Sequence, residues 1–412
     1  VNSYLVIIVA SLIVAWLLGI LSNTMNTRAL TPSLPEEFSD VFDAEKYRQS
    51  QAYTRASMRF ASWNDTYTTA IVLLFIWGGG FHLLDQAVRA LDLSALSTGL
   101  VYIGALALAS GILNLPFETY HTFVLEKTFG FNTTSLGTFV MDRLKGLILT
   151  GVIGGVLVAA ILLFFQKTGS YGWLYCWGFA VLFSLGLTYV APTWILPLFN
   201  TFTPLKAGEL RSALEAYAES AGFELTGIFV IDGSKRSTKS NAFFTGFGKR
   251  RRIALFDTLI KEMTTDEIVA VLAHEVGHAQ LGHIKKRLFT GIVKTGAVFF
   301  LMSLFLDSHP LFDAFGIKQP SIYAGLVFFM LLYTPISLVM AVISNRMSRT
   351  HEYQADAFAA SSTGHPDSLI SALKKLSATN LSNLTPHPFT VWLEYSHPPV
   401  IDRIKALHSL RP

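Results

Sequence analysis

Residues His274-Glu275-Val276-Gly277-His278 combine types and spacing that can hold a divalent metal and activate water. Residues four apart lie on one face of a helix, so both imidazoles can reach a single ion about 2.0–2.1 Å from each nitrogen. Glu275 then stands to the side where a metal-activated water would sit, in position to take its proton. The chemistry such a group performs is metal-assisted hydrolysis. The local setting favours this over a polar stripe on a soluble helix. The preceding residues, Ile268-Val269-Ala270-Val271-Leu272, are apolar, and two imidazoles and a carboxylate beside them are costly without a purpose.

A catalytic zinc takes three protein ligands and leaves a fourth position open. His283 is nearby but lies five residues after His278. On a continuing helix it would point roughly 180° away from His274, which argues against it as a ligand. Glu352 and Asp356, again four apart, fit better. Glu352 can bind the metal, while Asp356 can accept the free N–H of a ligating histidine. His351, about 100° around the helix from Glu352, reads as a surface or packing residue.

Several elements must bring these two stretches together. Thr264-Thr265-Asp266-Glu267 matches a capping box that opens a helix running to about Gly282. Before it, 206–283 reads as a small α/β piece, with a helix near Leu210 to Ala221 and strands near Gly227–Ile231, Asn241–Phe247 and Ile253–Phe256. Much of the remaining chain is apolar enough for a bilayer: 51% of the 412 residues are hydrophobic and 15% charged, where a soluble domain carries about 25% charged. That excludes a disordered chain, a fibre and an ordinary soluble globule. Seven runs approach the roughly 20 residues a spanning helix needs: about 4–22, 68–86, 99–115, 146–165, 172–198, 288–306 and 321–343. The second carries Gly78-Gly79-Gly80, expected to loosen or kink it, and the seventh holds Pro335 in its interior. No basic residue precedes Arg28, so the first run reads as a retained span rather than a signal peptide.

With the N-terminus outside, 28 of the 32 Lys and Arg fall on inner segments, as cytoplasmic loops require. Both halves of the candidate metal site then share the cytoplasmic side. The organisation expected is 1–198 with five spans, 199–287 as the metal-motif segment, 288–343 with two spans, and 344–412 carrying the third ligand. Lys294, inside the sixth run, should face a wet interior rather than lipid. A net charge of +4 gives no reason to expect a nucleic acid partner, and Cys176, the single cysteine, excludes a disulfide scaffold.

Beyond the metal motifs, several stretches resemble the CAAX prenyl protease type 1 family, the sterile-24-like membrane zinc metalloproteases. These are 115–126 (LPFETYHTFVLE) followed by Phe129-Gly130-Phe131-Asn132, then 197–205 (PLFNTFTPL), 240–246 (SNAFFTG), the HEVGH helix, 352–358 (EYQADAF) and Ser396-His397-Pro398-Pro399. The resemblance implies an all-α membrane protein, with seven transmembrane helices around a large intramembrane chamber and a small α/β metalloprotease domain on the cytoplasmic side. It implies one catalytic Zn2+ on His274, His278 and Glu352, with Glu275 as the general base. Asn241 is then expected on an edge strand beside the substrate, and His397 as a donor across the cleft. Arg403, six residues beyond His397, stands as a substrate contact or a charge partner, with packing as the alternative. The implied partners are the lipid bilayer and a peptide or protein substrate, possibly prenylated, cut near its C-terminus. The implied membrane is a bacterial inner membrane or the endoplasmic reticulum. An HtpX-like quality-control protease is the nearest alternative; from another class, a seven-span transporter or receptor with an accidental HExxH.

Overall fold

A computed structural model describes residues 2–245 and 251–410. Long apolar helices form one part of the molecule and a four-stranded sheet with flanking helices the other. The first helix, Ser3–Arg28, starts where the Asn2 side chain accepts from the N–H groups of Tyr4 and Leu5. The helix Ala44–Trp77 bends by 63° into Gly80–Arg89. The expected glycine run makes this bend, since Gly79 adopts φ +68 in the left-handed region. Residues Ala95–Thr128 follow as one run, with Pro116 inside it.

Leu136–Leu198 is a single helical run of 63 residues that turns back on itself at Gly169–Tyr171. The Cys176 thiol donates to the Ile161 carbonyl at 3.6 Å, whereas fifteen residues of straight helix would span about 22 Å. The runs expected as the fourth and fifth spans are its two arms. Pro335 does not sit inside one helix. It lies in the first turn of Thr334–Thr363, which leaves Ile322–Leu332 at an angle of 54°. A proline there sacrifices no intrahelical bond, so the chain breaks rather than strains at that point.

Among the described residues, four helices are long and apolar enough to cross a membrane, or up to six if each bent pair is one span. In the four, only 6–17% of the most apolar stretch is buried. Side chains such as Trp194, Leu182 and Phe289 are about 70% exposed. A water-soluble monomer does not carry apolar surface on this scale, so the chain is a multi-pass membrane protein.

The sheet contains β1 (Phe202–Pro204), β2 (Leu225–Ile231), β3 (Ala242–Thr245) and β4 (Arg251–Phe256), in the order β1-β2-β4-β3. β2 and β4 run parallel; the two outer pairings are antiparallel. Three of these strands match the expected segments. β1, three residues ending in proline, does not announce itself by alternation and was not expected. Gly246 and Phe247, the end of one expected strand, lie outside the described residues. Ile228, Ile253, Leu214, Ile268, Ile370 and Ile404 meet in one core beneath the sheet, joined by Phe38 and Phe42 from the segment between the first two long helices. A second core, around Tyr102, Phe312 and Phe328, ties the membrane helices together.

Candidate metal centre

The HEVGH residues lie on the helix Thr265–Gln280, and the expected capping box fixes its start. The Thr264 hydroxyl accepts from the Glu267 N–H, and the Glu267 carboxylate accepts from the Thr264 N–H at 2.8 Å. The same carboxylate pairs with Lys375 at 2.8 Å and accepts from Ser371 at 2.5 Å. The motif helix is thereby fastened to Pro366–Thr379 as well as capped. Ile268, Leu272, Ala273 and Val276 anchor its apolar face in the core.

Glu352 and Asp356 lie on Thr334–Thr363, which crosses the motif helix closely. Gly277 allows this. A Cβ there would stand 3.2 Å from the Ala355 backbone and 3.1 Å from the Phe358 ring. Gly277 lies between the two histidines of the motif, and Ala355 between the two carboxylates, so the small pair at the crossing sets the distance between the two halves of the site.

At that crossing the ligand atoms of three residues converge. His274 Nε2 and His278 Nε2 are 3.2 Å apart; His274 Nε2 lies 3.4 Å from one Glu352 oxygen, and His278 Nε2 lies 3.3 Å from the other. A tetrahedral ion with bonds of about 2.0–2.1 Å separates its ligands by about 3.3–3.4 Å. The donor set and its spacing therefore fit a zinc-sized ion. Glu275 and His397 line the same cavity of ≈ 540 Å³ as these three residues.

Behind the ligands lies a buried charge network. Asp356 accepts from His274 Nδ1 at 2.8 Å, and receives both Nε and Nη2 of Arg403, at 2.8 and 2.6 Å. Burial works against a charged His274, but Asp356 and Glu352 outweigh it and hold the imidazole up at about 9. The surroundings of this ring thus favour positive charge, the condition a bound cation would meet.

The structure brings His274, Glu275, His278, Glu352 and His397 to one cavity. His397 Nε2 is 3.5 Å from Glu352, and its ring is 65% exposed to the cleft. Asn241 is exposed at the start of β3, with its side-chain oxygen accepting from the Ala242 N–H, and is not among the residues lining that cavity. Of the roles considered for Arg403, the charge partner matches the contacts seen: it is buried, and its guanidinium is occupied by Asp356. Lys294 is half-buried.

His283 is not in the ligand group, but its ring does not point where a continuing helix would carry it. The motif helix ends at Gln280 before reaching it, because Gly282 takes φ +70 and a new helix starts at His283. The turn swings the ring back until its Nδ1 is 3.0 Å from His278 Nδ1. His351, read as a surface or packing residue, packs: it stacks on His283 with ring centroids 4.1 Å apart. A glycine directly after an apolar periodic run was the signal available in the sequence.

Comparison with known proteins agrees with this geometry. Residues 23–201 match the family described as CAAX prenyl protease N-terminal, five membrane helices, and residues 204–411 match Peptidase family M48. The chain belongs to peptidase family M48. Similar proteins include the CAAX prenyl protease 1 homolog of Oryza sativa subsp. japonica, 36% identical over 92% of this chain and 91% of that protein. The CAAX prenyl protease 1 of Saccharomyces cerevisiae is 36% identical over 91% and 88%, and the Homo sapiens homolog 33% over 92% and 90%. The crystal structure of S. mikatae Ste24p superposes with a TM-score of 0.94 at 34% identity, covering 99% of both chains. This M48 peptidase is thus a membrane metalloprotease. The match of both halves leaves no place for an accidental HExxH in a transporter, and the N-terminal match favours the CAAX-type reading over an HtpX-like one.

Proposed function

We propose that this M48 peptidase is a zinc endopeptidase that trims prenylated CAAX-type proteins near their C-terminus, at a site facing the cytoplasm. The observation that carries this reading is the triangle of His274, His278 and Glu352 ligand atoms beside Glu275, in a chain similar along nine-tenths of its length to proteins named CAAX prenyl protease 1. One Zn2+ bound there supplies Lewis acidity toward a water and a peptide carbonyl.

The chain's own groups do the rest. Glu275 accepts the proton of the attacking water and passes it to the leaving amine. Asp356 holds His274 with its proton on Nδ1 and leaves Nε2 free as a ligand. His397 offers an N–H from the exposed side of the cleft to the developing oxyanion. Asn241, at the start of the edge strand β3, presents backbone and amide groups along which an extended peptide can lie. Arg403 acts from behind through Asp356.

The two arms of Leu136–Leu198 and the two bent pairs, added to the remaining long helices, give seven spans in this reading. Where the helices Ala44–Trp77, Ala95–Thr128 and Leu136–Leu198 meet, Asn64, Asn114, His121 and the Glu118–Arg143 ion pair (2.8 Å) line a cavity of ≈ 260 Å³. The polar side chains there suit a water-filled space next to the spans, as the mouth of a wet chamber would provide. The charge asymmetry of the loops orients the metal centre toward the cytoplasm. The test is cleavage of a farnesylated CAAX peptide and its unprenylated twin by purified protein, with and without a chelator. Chelator-sensitive cleavage that prefers the prenylated peptide supports the reading; equal rates on both peptides would make it a general membrane peptidase.

A further inference from the structure

The two metal-facing histidines are held in different ways. His274 leans on a carboxylate backed by an arginine, whereas among the described residues no carboxylate hydrogen-bonds His278 Nδ1. Its neighbour there is His283 Nδ1 at 3.0 Å, and His283 Nε2 in turn is 2.9 Å from the side-chain oxygen of Gln354. His283 is 3% exposed, and its ring lies nearly parallel to His351, at an angle of 12°.

The proton positions along this chain follow from the ligand geometry. His278 turns Nε2 toward His274 and Glu352, so that nitrogen must carry a lone pair to bind an ion, and the proton resides on Nδ1. A hydrogen bond at 3.0 Å then requires His283 Nδ1 to accept. The His283 proton is therefore on Nε2, where the Gln354 oxygen accepts it. Every bond has one donor and one acceptor, and the chain carries no net charge. Gln354 lies between Glu352 and Asp356 on the same helix, so a single helix supplies a metal ligand and the outer supports of both histidines.

We propose that His283 is a positioning residue that fixes the tautomer and ring orientation of His278, and that Gln354 fixes His283 in turn. The inference rests on the metal set proposed above. It makes the Gly282 turn a functional feature: without the left-handed residue the helix would run on and carry the ring away.

The test is metal affinity, read without turnover. Zinc dissociation is measured by competition with a chromophoric chelator, and coordination by the visible spectrum of the Co2+-loaded protein. His283→Phe removes the acceptor and should weaken zinc binding by about 10–100-fold and alter the Co2+ spectrum. His283→Asn offers a carbonyl near the place of Nδ1 and should restore affinity close to that of the unmodified protein. Gln354→Leu, at an exposed position, should weaken binding in the same direction. Equal loss in the Phe and Asn variants would mean packing rather than hydrogen bonding, and would overturn the proposal. Should the Phe variant not fold, undiminished affinity in Gln354→Leu overturns it. Absence of tight zinc binding in the unmodified protein would sink the metal assignment itself, whereas tight binding left unchanged in all variants sinks only the role of His283.

Discussion

Replacing Asp356 separates what the buried network does for the fold from what it does for the metal. Asp356 is 1% exposed and takes one hydrogen bond from His274 and two from Arg403, which is itself 9% exposed. Asp356→Leu leaves the guanidinium buried with Glu352, 3.6 Å from its Nη1, as the nearest counter-charge. Breaking a buried pair from one side costs about 3–5 kcal/mol. Removing both charges in Asp356→Leu/Arg403→Met should recover most of that, because an apolar pair of similar volume is often no worse than the ions. Metal affinity should not recover. In both variants His274 lacks its acceptor, and loss of such a partner weakens binding about 10–100-fold, or roughly 1.4–2.7 kcal/mol. Thermal unfolding of the metal-free protein in detergent reports the first quantity, since bound metal would add its own stabilisation. Chelator competition reports the second. A double variant that binds zinc like the parent would refute the role given to Asp356, and a single variant as stable as the parent would refute the buried pairing.

Gly277→Ala should push the motif helix off Ala355 and Phe358 by a few tenths of an ångström and weaken zinc binding while leaving the helix content unchanged, as chelator competition and circular dichroism would show. Glu267 gives a pH signature. Burial raises the pKa of its carboxyl, but Lys375, Ser371 and the Thr264 N–H together bring it below the ordinary value. A depressed folded-state pKa stabilises the protein above the unfolded value of about 4.3 and ceases to do so as the pH falls through the folded value. The stability gap between the parent and Glu267→Gln, followed by melting temperature against pH, should therefore be constant near neutrality and close below about pH 4; a gap that widens on acidification would contradict the assignment. His397→Ala should keep zinc and lower kcat by about 10²–10³-fold with little change in KM, measured by steady-state cleavage.

The parts of the site visible in the sequence are those that local spacing controls. His274 with His278 and Glu352 with Asp356 each follow from the helical period, and the capping box from four consecutive residues. The pairing of Arg403 with Asp356, 47 residues apart, and the seating of Phe38 and Phe42 beneath the sheet depend on how distant elements dock, which no local pattern encodes. His283 lies outside the ligand group, but its ring direction differs from the expected one for another reason. Its direction was reckoned along an unbroken helix, and a single left-handed glycine makes that reckoning fail. Pro335 is a similar case: its place inside an apolar run reads as a proline tolerated within one span, and the chain instead starts a new helix around it. β1 is too short, at three residues, to show a period of two.

The central claim is that His274, His278 and Glu352 hold one zinc and that Glu275 moves the proton. Glu275→Gln keeps the size of the side chain and removes the base. The measurement is the zinc content and the cleavage of a farnesylated CAAX peptide by the same purified preparation of this variant. One zinc per chain with cleavage abolished is the predicted result; undiminished cleavage, or a parent protein that cleaves with no metal bound, would contradict the account.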